Sequence, residues 1–203
     1  GGTGRVPAVV TTRLPGAVHL PGSPQEGWLR ILAEVAVAIA AVPAGRFPWT
    51  YDPWIAVEPQ VPDGGSALWD RALEVVSRAR PAGPVVLLHR DHHPMNLLFG
   101  GGRLTGVVDW VNACVGPAAV DVAHCRLNLA GMYGPEVADR FRDLWCGLTR
   151  LRYDPVWDVV TLVGMLPIRP YAPWAAAGLA VGASEMRPRL ERVLATALDA
   201  LGA

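Results

Sequence analysis

The stretch that decides the fold is "HRDHHPMNLLF", residues 89–99, followed after a glycine-rich break by "GVVDW", residues 106–110. Three of the chain's five histidines crowd around one aspartate there. Two chemistries compete. His89, His92 and His93 spell H-x-x-H-H, which could be a metal site. Alternatively the aspartates and the asparagine do the work, and the histidines support them. The metal site is the weaker case. Pro94 disfavours helix at His93, and the stretch is wedged between two strand-like runs. Zinc would want a further ligand cluster of recognisable spacing, and His19 and His124 stand isolated in the sequence.

Counting from Asp91 is more productive. Asn96 follows five residues later and Asp109 thirteen after that. "NLLF" (96–99) and "RLTGVVDW" (103–110) are apolar runs joined by glycines, the pattern of a β-hairpin. A hairpin brings its two ends together, so Asn96 and Asp109 can share one metal. This set suits phosphoryl transfer. One carboxylate accepts or orients a substrate hydroxyl, while an amide oxygen and a second carboxylate hold Mg²⁺ on nucleotide phosphates.

Working outward, "VVLL" (85–88) is a strand feeding the motif. Ala8 to Thr12 is a second β-branched run, stopped by Pro15-Gly16. "SPQEGWLRILAEVAVAIAAV" (23–42) predicts a helix capped by Ser23, with Pro24 at its first position and Glu26 closing a capping box. Leu29, Leu32, Ala36 and Ile39 form its apolar face, and the far side is apolar too after Glu34, so the helix is largely buried. Residues 43–65 are proline-rich and carry Trp49 and Trp54, which predicts an ordered loop rather than a linker. A second helix is expected over 67–80, capped by Ser66, with Leu68, Ala72, Val75, Val76 and Ala79 inward. Beyond Gly116-Pro117 the pattern is helical, at about 118–131, 135–150, 154–166, a proline-broken piece near 171–183, and 185–201. Strand, helices, hairpin, helices in that order make an α+β fold with a helical majority.

Composition narrows the partners. The chain has 203 residues, 51% hydrophobic and 18% charged, with zero formal net charge. No electrostatic case exists for a nucleic-acid or anionic-membrane partner. No apolar run reaches the roughly 18–20 uncharged residues of a membrane span, and no signal peptide opens the chain. Cys114, Cys125 and Cys146 are odd in number and show no CxxC spacing, which predicts reduced thiols in a cytoplasmic protein.

"HRDHHPMNLLF", "GVVDW" and "GPAAVDVAH" (116–124) together resemble the aminoglycoside phosphotransferase family, small-molecule relatives of protein kinases. That family carries H-G-D-x-x-x-x-N and then a strand ending in D-W or D-F. His89, Asp91 and Asn96 match; Arg90 replaces the usual glycine, as in protein kinases. Asp109-Trp110 stands where protein kinases have Asp-Phe-Gly. The resemblance implies a protein-kinase-like fold using ATP and Mg²⁺. Asp91 is then the catalytic base or hydroxyl-orienting residue, and His89 braces its loop. Asn96 and Asp109 are the Mg²⁺ ligands. For Asp121 two roles stay open, holding the catalytic loop or merely starting a helix. His92 and His93 fall at the loop's variable positions, facing substrate or solvent, and Trp110 is expected in the core.

Upstream, "AVVTTRLPG" (8–16) resembles the strand and hinge that join the two lobes of such kinases. Thr12 C=O and Leu14 N–H would then meet the adenine edge. Residues 1–16 would be the remnant of the N-lobe's last strand plus the hinge, and residues 17–203 the helical C-lobe. The glycine-rich strand pair, the strand lysine and its helix glutamate are missing, and the chain contains no lysine at all. The expectation is a piece of a longer open reading frame with little kinase activity by itself; the alternative is a non-catalytic kinase-like binding module. For an aminoglycoside-like polycation, Asp154, Asp158 and Glu185 are the candidate carboxylates, interspersed with arginines. The aromatic and proline residues of 153–174 could equally line a pocket for a sugar or another alcohol.

Overall fold

A computed structural model describes residues 11–53, 55, 58–62, 66–79 and 82–203. The first helix, α1 (Glu26–Ala40), buries the predicted face: Leu29 and Leu32 are fully buried, and Ala36 and Ile39 nearly so. Each buried leucine contributes about 1.5–3 kcal/mol relative to exposure. The start of the helix differs from expectation. Gln25, not Ser23, is the N-cap, and it makes no side-chain capping bond. Pro24 lies outside the helix and is buried, with its carbonyl accepting from Arg140.

The second helix, α2 (Ser66–Arg78), buries Ala72 as expected and also Trp69, whose indole donates to Glu191 at 3.2 Å. Arg80 and residues 8–10 of the expected first strand lie outside the described residues; Thr11 and Thr12 are irregular backbone. Four short strands follow. β1 (Val85–Leu88) pairs antiparallel with β4 (Cys114–Pro117), and β2 (Leu97–Gly100) pairs antiparallel with β3 (Arg103–Val107), with an irregularity at Leu98/Phe99. The β2–β3 hairpin was expected. β4 was not, because four residues including a glycine and a proline carry little strand signal.

The rest is helical: α3 (Ala119–Tyr133), α4 (Pro135–Thr149), α5 (Val156–Gly164), α6 (Ala172–Ala176) and α7 (Ala183–Leu201). α3 is the axis of the molecule. Every residue from Val120 to Met132 is buried, and α4, α5 and α7 pack around it. The α+β, mostly helical fold read from the sequence is the observed one.

Residues 15–17 and the proline-rich loop dock on the strands. Ala17 and Phe99 exchange main-chain bonds of 3.0 and 2.8 Å, and Thr105 Oγ1 donates to Pro15 O at 2.6 Å. Gly16, at φ +102°, fits between them only because it lacks a Cβ, which would lie 2.4 Å from Thr105 Oγ1. Tyr51 and Trp49 bond Val115 of β4 through their main chains, and Tyr51 packs onto Gly116. Residues 49–53 are therefore part of the scaffold. All three cysteines are free. No described helix is long and apolar enough to cross a membrane.

Candidate active site

β1 ends at Leu88 and delivers the loop of residues 89–96. Its backbone is fixed from α3: Asp121 Oδ2 accepts the His89 N–H and Asp121 Oδ1 the Arg90 N–H, each at 2.7 Å. Asp121 also lies in the first turn of α3. Burial pushes its carboxyl up to about 6, with the two N–H bonds and Arg90 opposing. Arg90 has φ +71°, a conformation that suits glycine. Its guanidinium donates to Asp52 O at 2.8 Å and lies 4.6 Å over the Tyr51 ring, so the proline-rich loop anchors it.

The three histidines of the motif point in different directions. His89 Nε2 donates to Val108 O at 2.8 Å, tying the loop to the end of β3. His92 Nε2 donates to Leu32 O of α1 at 3.1 Å. His93 turns toward Asp91, its Nε2 lying 3.4 Å from Oδ1. His92 and His93 are thus buried, so neither faces solvent. The H-x-x-H-H spacing makes no shared site because the loop is extended at His93 and enters a single 3-10 turn, Pro94–Asn96, at the proline.

The residue missing from the sequence-based site is His124. Its Nε2 lies 3.0 Å from Asp91 Oδ1. It looked isolated, but it stands three residues after Asp121 on α3 and so shares its face. That spacing was the available signal. Burial pushes Asp91 up, and the hydrogen bonds from His124 and His93 more than reverse this, holding it well below the usual carboxylate range. Burial lowers His124, so the ring is neutral beside an ionised carboxylate.

Asn96 Nδ2 donates to Asp91 O at 2.8 Å and to Asp91 Oδ2 at 3.2 Å. With the amide nitrogen so engaged, its Oδ1 is the atom left to bind a cation. Val108 N donates to Asn96 O at 2.9 Å, which sets Asp109, the next residue, beside the loop. Asp109 is exposed, with φ 65° and ψ 56°. An amide oxygen and a free carboxylate are hard donors that fit Mg²⁺. Trp110 is 42% exposed, not in the core, because the left-handed turn at Asp109 swings it outward. There its ring leans on His89 at 4.5 Å. Thr12 and Leu14 lie on the exposed run before Gly16, with Leu14 packed over Gly106 of β3.

The carboxylates expected to meet a polycation are engaged elsewhere. Asp158 is buried against Arg126 and the Tyr153 hydroxyl. Asp154 accepts the Val156 N–H at 3.0 Å and Glu185 the Gly182 N–H at 3.3 Å, both as helix-start contacts.

The sequence signature of the Phosphotransferase enzyme family matches residues 1–162. The chain belongs to the phosphotransferase enzyme family. Over 79 residues it is 35% identical to homoserine kinase of Pseudomonas aeruginosa, covering 37% of this chain and 25% of that protein. It therefore spans about a quarter of the length of the curated relatives it matches. Among solved structures, a thermostable mutant of aminoglycoside phosphotransferase APH(4)-Ia in its apo form superposes with a TM-score of 0.58 at 17% identity, covering 93% of this chain and 70% of that one. Macrolide 2'-phosphotransferase MphH from Brachybacterium faecium gives 0.54 at 18% identity, covering 90% and 68%. A further structure of APH(4)-Ia, a ternary complex with ADP and hygromycin B, gives 0.58 at 16% identity, covering 92% and 70%. These solved structures show the kinase-like fold.

Proposed function

We propose that the protein transfers the γ-phosphoryl group of Mg-ATP to a hydroxyl of a small molecule. The observation that supports this is the Asn96 amide: its nitrogen is bonded to Asp91 on both the main chain and the carboxylate, which leaves its oxygen for a cation. Asp91 receives the acceptor hydroxyl. A carboxylate held so far below its ordinary pKa is a weak base, so its role is orientation more than proton abstraction. A loose phosphoryl-transfer transition state needs little more than that. Asn96 and Asp109 would hold Mg²⁺, which neutralises charge developing on the phosphates. His89 braces the loop, and Asp121 holds its backbone. Thr12 C=O and Leu14 N–H, in the hinge segment of residues 1–16, would receive the adenine edge above the C-lobe of residues 17–203.

For the acceptor we propose a hydroxylated molecule without dense positive charge. Asp154, Asp158 and Glu185 are each committed to other groups, whereas Tyr171, half exposed, stands edge-on to His93 at 6.3 Å and offers a ring face to a sugar or alcohol. The test is a panel of hygromycin B, a macrolide, homoserine and neutral sugars with Mg-ATP, using protein expressed from its full open reading frame. Phosphorylated product is read by ³¹P NMR. Transfer to at least one acceptor, abolished by Asp91→Ala and by Asp109→Asn, is expected. Transfer that survives Asp91→Ala would overturn the proposal.

A further inference from the structure

We infer that His124, with His93, is a positioning residue for the catalytic carboxylate: two imidazole N–H groups clamp Asp91 Oδ1 and leave Oδ2 to the acceptor hydroxyl. This rests on the kinase activity proposed above and adds the means by which Asp91 is aimed.

Asp91, His93 and His124 have ligating atoms within 4.8 Å of one another, close enough to hold a divalent cation. The tautomer decides between a cation and protons. His93 Nδ1 accepts the Met95 N–H at 3.3 Å, so that nitrogen is bare. A neutral imidazole has one N–H. Asn96 Nδ2 also lies 3.3 Å from His93 Nε2, but its two hydrogens go to the nearer Asp91 O and Asp91 Oδ2, so the His93 N–H is on Nε2, facing Asp91 Oδ1. A metal-bound histidine has the opposite arrangement, a bare nitrogen on the metal and an N–H donated outward. The cluster is therefore a set of donors around a carboxylate.

The lone pairs of Asp91 can then be assigned. An ionised carboxylate offers about four acceptor sites. On Oδ1, one is taken by His124 at 3.0 Å and one by His93 at 3.4 Å. On Oδ2, one is taken by Asn96 Nδ2 at 3.2 Å. One site on Oδ2 remains, and the carboxylate side chain is 25% exposed while both imidazoles are buried. The remaining site is where a substrate O–H can bond. The donors come from two elements: His93 from the loop itself and His124 from α3, the helix that also fixes the loop backbone through Asp121. α3 thereby sets both the position of the loop and the rotation of its working side chain. Misplacing a reacting group by a fraction of its contact distance is costly in rate.

Two measurements test this. With the acceptor found in the panel, His124→Leu should lower kcat about tenfold or more and leave KM for ATP within about twofold. His124→Gln, which places an amide N–H at similar reach, should restore most of that loss. Independently of any acceptor, ¹⁵N-histidine NMR of the unmodified protein should show His124 and His93 as Nε2–H tautomers, both perturbed by Asp91→Ala. The inference is overturned by an unchanged kcat in His124→Leu, by Gln performing no better than Leu, by a bare Nε2 on either ring, or by stoichiometric Zn²⁺ binding that His124→Leu removes. If no acceptor is phosphorylated, the proposed kinase activity fails, and the tautomer spectrum still decides the geometry.

Discussion

Asp121 Oδ2 accepts the main-chain N–H of His89 at 2.7 Å, across thirty-two residues of sequence. Its other oxygen takes the Arg90 N–H. Asp121→Asn keeps the shape but turns one acceptor into a donor facing an N–H. A buried donor left unsatisfied costs about 1–3 kcal/mol. Thermal denaturation should show Tm lower by roughly 4–8 °C for a loss near the middle of that range. A Tm within a degree of the parent would mean that the loop does not depend on this carboxylate.

On the other side of α3, Arg126 is bound between Asp158 and Asp139. Burial opposes its charge, and Asp158, Tyr153 and Asp139 more than offset this, so Arg126 stays ionised. Arg126→Met strands a buried carboxylate and should cost about 3–5 kcal/mol in urea denaturation. Adding Asp158→Leu should recover much of that loss. A double variant no more stable than the single one would show that the pair is not the seat of the effect.

His92 makes stability depend on pH. Burial lowers its imidazole from 6.5 to about 3 in the folded chain. Between those values the unfolded chain binds the proton and the folded one does not, so stability rises with pH. The contribution is fully present above about pH 6.5 and is lost as the pH falls toward 3. One such group changes the slope by about 1.4 kcal/mol per pH unit. Urea unfolding at pH 4, 5 and 6 should therefore give a shallower slope for His92→Leu than for the parent. Equal slopes would show that His92 is not excluded from protonation.

Gly16 seats residues 15–17 on the β2–β3 hairpin. A Cβ there would lie 2.4 Å from Thr105 Oγ1 and 2.7 Å from Phe99 O, at a backbone φ of +102°. Gly16→Val should dislodge the segment, and hydrogen exchange at the Ala17 and Phe99 amides should accelerate at least tenfold while the α3 core stays protected. Unchanged exchange at both amides would refute the steric account.

The parts of the fold legible in the sequence were those written in local pattern. The hairpin shows in two apolar runs around glycines, and the helices after Pro117 in their periodicity. The pair Asp91 and Asn96 is legible because both lie in one short loop, five residues apart. His124 was overlooked because its neighbour is across space; only the i, i+3 relation to Asp121 hinted at it. The Arg90 clasp by Tyr51 and Asp52 had no local signal, since nothing in "TYDP" announces a partner thirty-eight residues on. Trp110 was misplaced because an apolar residue after a strand is ordinarily core, and the left-handed turn at Asp109 is invisible in composition.

The burial of α3 from Val120 to Met132 has a consequence for how the site can fail. A loop whose amides are bonded to a helix inside the core cannot open by fraying. Deuterium should reach the amides of His89 and Arg90 only when the core around α3 unfolds, so their exchange should follow global stability in any set of destabilised variants. Mutations far from Asp91 that weaken the packing around α3 would then reduce activity through the same equilibrium that sets how much folded protein a cell retains.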